Sequence, residues 1–188
     1  MNNDIIPTLG LEKDFMVIRY PEGKRSFEPT KDTFRLTNGA FILGLRGRLS
    51  LSMNLTSYDV TGNTLLTIIP HHIVQAQSIS DDFEGYIVLF TPSFAADTNL
   101  LRSNLPFMTE MRYNPLVNLT EDECILFTNF CRFFYDIEGN ELIGNSPEVR
   151  KGLLTSLLYT LGALYRRQLP QVPAEKQSRA NIIFKKFL

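Results

Sequence analysis

The chain has 188 residues, 44% hydrophobic and 21% charged, with a formal net charge of −1 and a pI near 6.1. That is enough apolar material for one core of about 100–170 residues plus an appendage. It excludes a nucleic-acid surface spread over the chain, which needs a clustered excess of Lys and Arg; the local basic pairs Lys24-Arg25, Arg166-Arg167 and Lys185-Lys186 read as solvated faces.

Met1 to Asp14 has no basic start followed by an apolar run, so no signal or transit peptide is expected. No stretch approaches the ~20 apolar residues of a membrane span, and the expected location is the cytoplasm. Phe15, Val17 and Ile18 give the N-terminal arm, Met1 to Tyr20, a strand-like apolar edge. Residues 34–91 carry short apolar runs separated by turn signals at Asn38-Gly39, Gly47, Asn54 and Gly62-Asn63. Strands are predicted over Ala40–Arg46, Arg48–Met53, Leu55–Val60, Thr64–Ile69, Ile73–Gln77 and Gly85–Thr91. In Arg48–Met53, Leu49, Leu51 and Met53 alternate with Arg48, Ser50 and Ser52, as in a strand with one wet face. Short strands at intervals of about ten residues point to a barrel or a two-sheet sandwich.

After Pro92 the period changes. A short helix is predicted over Ser93–Arg102, then an irregular stretch to Asn118 with Pro106 and Pro115. Thr120-Glu121-Asp122-Glu123 has the form of a capping box, opening a helix to about Asp136 with Leu126, Phe127, Phe130, Phe133, Phe134 and Ile137 at three-and-four spacing. Cys124 and Cys131 lie seven residues apart on it, roughly 10 Å along the axis and beyond disulfide reach; they read as reduced core or interface thiols. Gly139 to Asn145 reads as a loop. Ser146-Pro147-Glu148 starts a second helix, with a capping hydroxyl, Pro at the first helical position and an acid at the positive dipole end. It should run to Gln168 with a stripe of Leu154, Leu157, Leu161 and Leu164, widened by Leu153, Leu158 and Tyr165 beyond what the back of one small barrel needs. Pro170 and Pro173 stop it. A proline-bearing link, Leu169 to Ala174, leads to a basic amphipathic segment, Gln177 to Leu188, in which Ile183, Phe184, Phe187 and Leu188 recur at helical spacing.

Catalytic signals are missing from these patterns. The two histidines, His71 and His72, are adjacent, and on a strand they would point to opposite faces and could not share a metal. No nucleophile elbow or phosphate-cradling loop is present, and the acidic runs Asp81-Asp82 and Glu121 to Glu123 read as a turn and a helix start. No catalytic residue, metal or cofactor is therefore expected. What remains is a pocket inside the β structure, for which Arg35, Gln75 and Tyr86 are the polar ligand-binding candidates; each fits the outer, wet face of its strand equally well.

The runs Ala40-Phe41-Ile42-Leu43-Gly44-Leu45-Arg46-Gly47, Asn63-Thr64-Leu65-Leu66-Thr67-Ile68-Ile69-Pro70 and Gly85-Tyr86-Ile87-Val88-Leu89-Phe90-Thr91 resemble the N-terminal sensing domain of AraC-family transcription regulators. The resemblance spans about residues 30–188 and rests on the order of the parts. It implies an α+β fold, a cupin-like antiparallel β-barrel or sandwich followed by two antiparallel α-helices. The implied organisation is an arm and sensing domain over 1–118, a helical dimerisation hairpin over 119–168, and over 169–188 a linker and the start of a truncated helix-turn-helix DNA-binding domain. It implies a homodimer joined through Leu154, Leu157, Leu158, Leu161, Leu164 and Tyr165. The effector would be a sugar, another metabolite or a fatty acid, and DNA would be contacted only through the missing C-terminal domain. The His-x-His, Glu and His set of metal-binding cupin enzymes has no counterpart here. Two alternatives stay open. One is a metal-independent cupin-type sugar isomerase or epimerase, which needs an acid–base pair where the strands offer only Asp59 and the His71-His72 step. The other is a purely structural dimerisation module.

Overall fold

Sheet formation follows the two kinds of apolar pattern in the chain. The structure, a computed structural model, describes residues 14–21, 33–97, 111–138, 140–144 and 146–168. The first part of the expected arm (1–13), the expected helix beyond Asp97, the link 169–174 and the segment 177–188 lie outside the described residues. The strands are β1 Phe15–Tyr20, β2 Phe34–Arg35, β3 Gly39–Arg46, β4 Arg48–Met53, β5 Thr56–Thr61, β6 Thr64–Ile68, β7 Ile73–Ile79, β8 Glu84–Phe90 and β9 Leu116–Asn118. The helices are α1 Pro92–Asp97, α2 Glu121–Glu138, α3 Glu141–Gly144 and α4 Pro147–Gln168.

The first sheet has the order β1-β8-β3-β6-β9 and the second β2-β7-β4-β5, every pairing antiparallel. They face each other as a sandwich, not a closed barrel. The first sheet is covered twice. Ala40, Ile42, Leu66, Ile68 and Leu89 face the second sheet, while Phe41, Leu43, Leu65, Val88 and Phe90 face the helices. A strand buried on both faces has no polar phase, which is why β3, β6 and β8 read as unbroken apolar runs and β4, with one wet face, alternates. The chain steps from one sheet to the other at Gly47, whose φ of 67° suits glycine and whose Cβ would lie 2.6 Å from the backbone of Phe83. It steps back at Gly62-Asn63, where Asn63 has φ 59°. Leu55, expected to start β5, instead belongs to the two-residue turn Asn54-Leu55, with φ of 50° and 71°. Asn54 secures that turn by accepting the Ile73 amide on its Oδ1 at 2.9 Å.

Both helix starts are capped as their sequences require. The Thr120 amide donates to Glu123 Oε2 at 2.8 Å and the Glu123 amide to Thr120 Oγ1 at 3.3 Å, a reciprocal capping box at α2. At α4 the Val149 amide donates to Ser146 Oγ at 3.3 Å. An ion pair of 3.0 Å between Arg167, in the last turn of α4, and Glu123, in the first turn of α2, shows that the two helices run antiparallel. The inward face of α2 is Cys124, Phe127, Cys131, Phe134 and Ile137, whereas Leu126 and Phe133, expected inside, are 47% and 52% exposed. Two apolar stripes one residue apart compete on this helix, and the one continuous with the sheet wins. Burial raises both thiols, Cys131 to about 12, so they are inert core groups. The expected loop at 139–145 contains α3, whose start is capped by Asn140 Oδ1 accepting the Ile143 amide at 3.0 Å.

The leucine stripe of α4 faces its own sheet. Leu154, Leu157, Leu158, Leu161, Leu164 and Tyr165 are all 7% exposed or less within a single chain, packed with Phe41, Leu65, Val88 and Phe134. The Tyr165 hydroxyl lies 3.2 Å from both Thr67 Oγ1 and the Pro115 carbonyl. Within one chain these six side chains are thus already covered by the sheet and α2. The stripe is broad because a five-stranded sheet with an apolar outer face needs a broad cover, a demand that an estimate from a small barrel undercounts.

Candidate functional site

Between the sheets lies a cavity of about 70 Å³ lined by fifteen residues. Ile18, Ile42 and Leu89 come from the first sheet; Leu51, Val74 and Ala76 come from the second. Tyr20 is the one lining residue with a polar side-chain atom. Apart from that hydroxyl, the cavity offers only apolar contacts.

The three sequence candidates stand one residue out of phase with it. Strand pleating sends neighbours to opposite faces, and the lining holds Phe34 and Leu36 rather than Arg35, Val74 and Ala76 rather than Gln75, and Ile87 rather than Tyr86. Arg35 and Gln75 sit on the outer face of the second sheet, Arg35 opposite Ile73 and Gln75 opposite Ser52. Tyr86 faces the helix side of the first sheet, in a separate groove of about 530 Å³ between β1, β8 and α2. The lining residues carried a signal, being the apolar partners that flank each polar candidate. Which phase pointed inward could not be read without the pairing register.

His71 and His72 precede β7 instead of lying on it, and with φ of 72° at His71 the strand alternation does not apply. Both border one surface cleft of about 600 Å³, together with Met53, Tyr58, Arg112 and Tyr113. His72 Nδ1 lies 2.9 Å from the Met53 sulfur. Burial, and then the nearby Arg112 guanidinium, lower the pKa of His72 below 6.5. A histidine depressed in the folded state stabilises the fold above its unfolded pKa, and that contribution is lost as pH falls through the folded value. The urea midpoint is thus expected to drop from pH 7 towards pH 5, with a smaller drop in His72→Gln; an unchanged slope in the variant contradicts the assignment. Asp59 lies on the outer face of the second sheet, accepting from Ser50 Oγ at 2.6 Å and facing Arg48 at 3.5 Å. Among the described residues no group of three His, Cys, Asp or Glu side chains could hold a metal. None of the described helices is long and apolar enough to cross a membrane.

Two antiparallel sheets in a sandwich, with strands stepping between them at tight corners and helices closing one outer face, define an α+β fold. No family sequence profile and no curated protein sequence matches the chain. Among solved structures, the chain is similar to ToxT K231A from Vibrio cholerae, at 14% identity and a TM-score of 0.48 over 82% of this chain and 58% of that one. It is also similar to the AraC-like transcriptional activator CuxR, at 15% identity and a TM-score of 0.46 over 74% of this chain and 46% of that one. A cupin protein from Bacteroides fragilis matches at 15% identity and a TM-score of 0.31, over 42% of this chain and 64% of that one. The match thus covers about half the length of each of the first two.

Proposed function

We propose that this chain is the effector-binding domain of a transcription regulator, and that its effector places an apolar body in the cavity between the sheets. The cavity lining carries the proposal, and the AraC-like order of parts in the sequence supplies the regulatory context. The hydroxyls of a sugar in this lining would lose their water partners with only Tyr20 to replace them, a cost of about 1–3 kcal/mol per unsatisfied group. Filling the cavity with apolar atoms is worth up to about 1.7 kcal/mol, taking ~24 cal/mol per Å³ over 70 Å³. Of the effectors the resemblance implies, a fatty acid is the one whose chain end this lining suits, the cavity taking that end and not the whole chain. The isomerase alternative has no acid–base pair in the lining: Asp59 and the two histidines lie elsewhere. On this proposal DNA is contacted by residues outside the sensing domain. Pairing of two copies uses some surface other than the leucine stripe, whose side chains are already covered.

Thermal melting of the protein with 1-decanol, decanoate or arabinose tests the proposal. The two aliphatic probes are expected to raise Tm with concentration, by the stabilisation that comes from binding the folded state alone, and arabinose to leave it unchanged. Ala76→Leu, which fills the cavity, should abolish the aliphatic shift while keeping the fold. No shift from either aliphatic probe, or one that survives Ala76→Leu, defeats the proposal; the former is what a purely structural module predicts.

A further inference from the structure

We infer that the groove between the first sheet and α2 is a second binding site, for a small organic anion carrying a carboxylate or phosphate. Register places Arg19 of β1 directly opposite Tyr86 of β8, and both side chains stand on the helix side of the sheet, away from the sandwich cavity. Cross-strand neighbours of this kind have Cβ atoms about 5 Å apart; the Tyr86 side chain is buried and the Arg19 side chain exposed, and both border the groove. Arg19 and Tyr86 have no hydrogen-bond or ion-pair partner among the described residues. Among the described residues bordering the groove, Asp136 faces Arg132 at 3.8 Å and Glu84 faces Arg46 at 3.8 Å, a guanidinium that Glu84 shares with Asp82 at 3.6 Å. The described lining residues carry two positive and two negative charges, Arg19 and Arg132 against Glu84 and Asp136; Arg19 is the one of the four that no opposite charge meets, and its fork geometry matches a carboxylate or phosphate two bonds at a time.

The remaining walls decide what the anion is attached to. Tyr20 and Tyr135 also line the groove, giving aromatic surface beside the cation. At about 530 Å³ the space suits a metabolite-sized molecule and exceeds what an inorganic ion needs. A planar or apolar body bearing one anionic head satisfies both features. Tyr20 borders the groove on one side of the sheet edge and the cavity on the other, yet the groove's recognition groups are absent from the cavity lining. The two sites therefore stand or fall separately.

Titration of the 15N-labelled protein with benzoate, phenyl phosphate and the neutral benzamide, at constant ionic strength, tests the inference. Benzoate or phenyl phosphate is expected to shift the Arg19 Nε–H and the amides of residues 84–86 saturably, the tighter of the two naming the preferred head group, and benzamide to leave them in place. Arg19→Gln should weaken binding by about tenfold or more and Tyr86→Phe by a few fold. Arg46→Gln, which removes a guanidinium already paired with Asp82 and Glu84, should keep it. Equal binding of benzamide, undiminished binding to Arg19→Gln, or absence of saturation with both anions overturns the inference.

Discussion

Leu161→Glu is expected to abolish folding, leaving a chain without helical circular dichroism and without a cooperative urea transition. Leu161 is fully buried and Leu157 only 2% exposed, in a cluster that joins α4 to the first sheet and to α2. Truncation alone, as Leu161→Ala, should cost about 2–5 kcal/mol from lost transfer energy and the cavity left behind. A carboxylate in the same place adds the cost of an unpaired buried charge, or of holding it protonated. Against a total stability of about 5–15 kcal/mol the sum leaves little. The experiment also separates two roles for the stripe. Were it an interface between copies, Leu161→Glu would yield a folded monomer with a native spectrum, visible as a halved mass in sedimentation. If the stripe is core, the alanine variant keeps the wild-type mass and loses stability.

Much of the architecture could be read from the residues, for reasons that also explain the errors. The strands over 39–91 and both long helices were marked by local chemistry: glycine and asparagine at corners, hydroxyls and acids at helix starts. The capping box at Thr120 and the serine cap at Ser146 form as expected because they need only neighbouring residues. Facing was harder. For β4 the sequence alternates and the phase is plain, but Tyr86 lies in a strand buried on both sides, where alternation carries no information. Arg35 and Gln75 fall out of phase with the cavity because its lining is built from their apolar neighbours. The short strands β2 and β9 depend on partners distant in sequence, so their own residues could not announce them. The groove at Arg19 escaped notice for the same reason: Arg19 and Tyr86 are 67 positions apart and meet only through the register of β1 on β8.

Gly44→Ala should destabilise the fold by about 3 kcal/mol, the upper end of overpacking losses, although alanine is ordinarily the better residue inside a strand. A Cβ built at Gly44 would lie 2.1 Å from the Thr61 carbonyl oxygen and 2.9 Å from its carbon. Neither side can easily give way. The same oxygen accepts from Thr64 Oγ1 at 2.7 Å, the Thr61 amide donates back to Thr64 Oγ1 at 2.8 Å, and the Asn63 amide donates to the Gly44 carbonyl at 3.0 Å. Gly44 thus lets β3 approach the corner at which the chain returns from the second sheet to the first, and widening that corner would displace the buried Val60 in the core between the sheets. The matched control is Gly152→Ala on α4, where a Cβ meets nothing within 4 Å. There the substitution removes only glycine's excess unfolded-state freedom and should stabilise by about 0.5–1 kcal/mol. The same chemical change therefore carries opposite signs at the two glycines. Urea midpoints that move in the same direction for both would show that backbone crowding at Gly44 is not what holds the two sheets at this spacing.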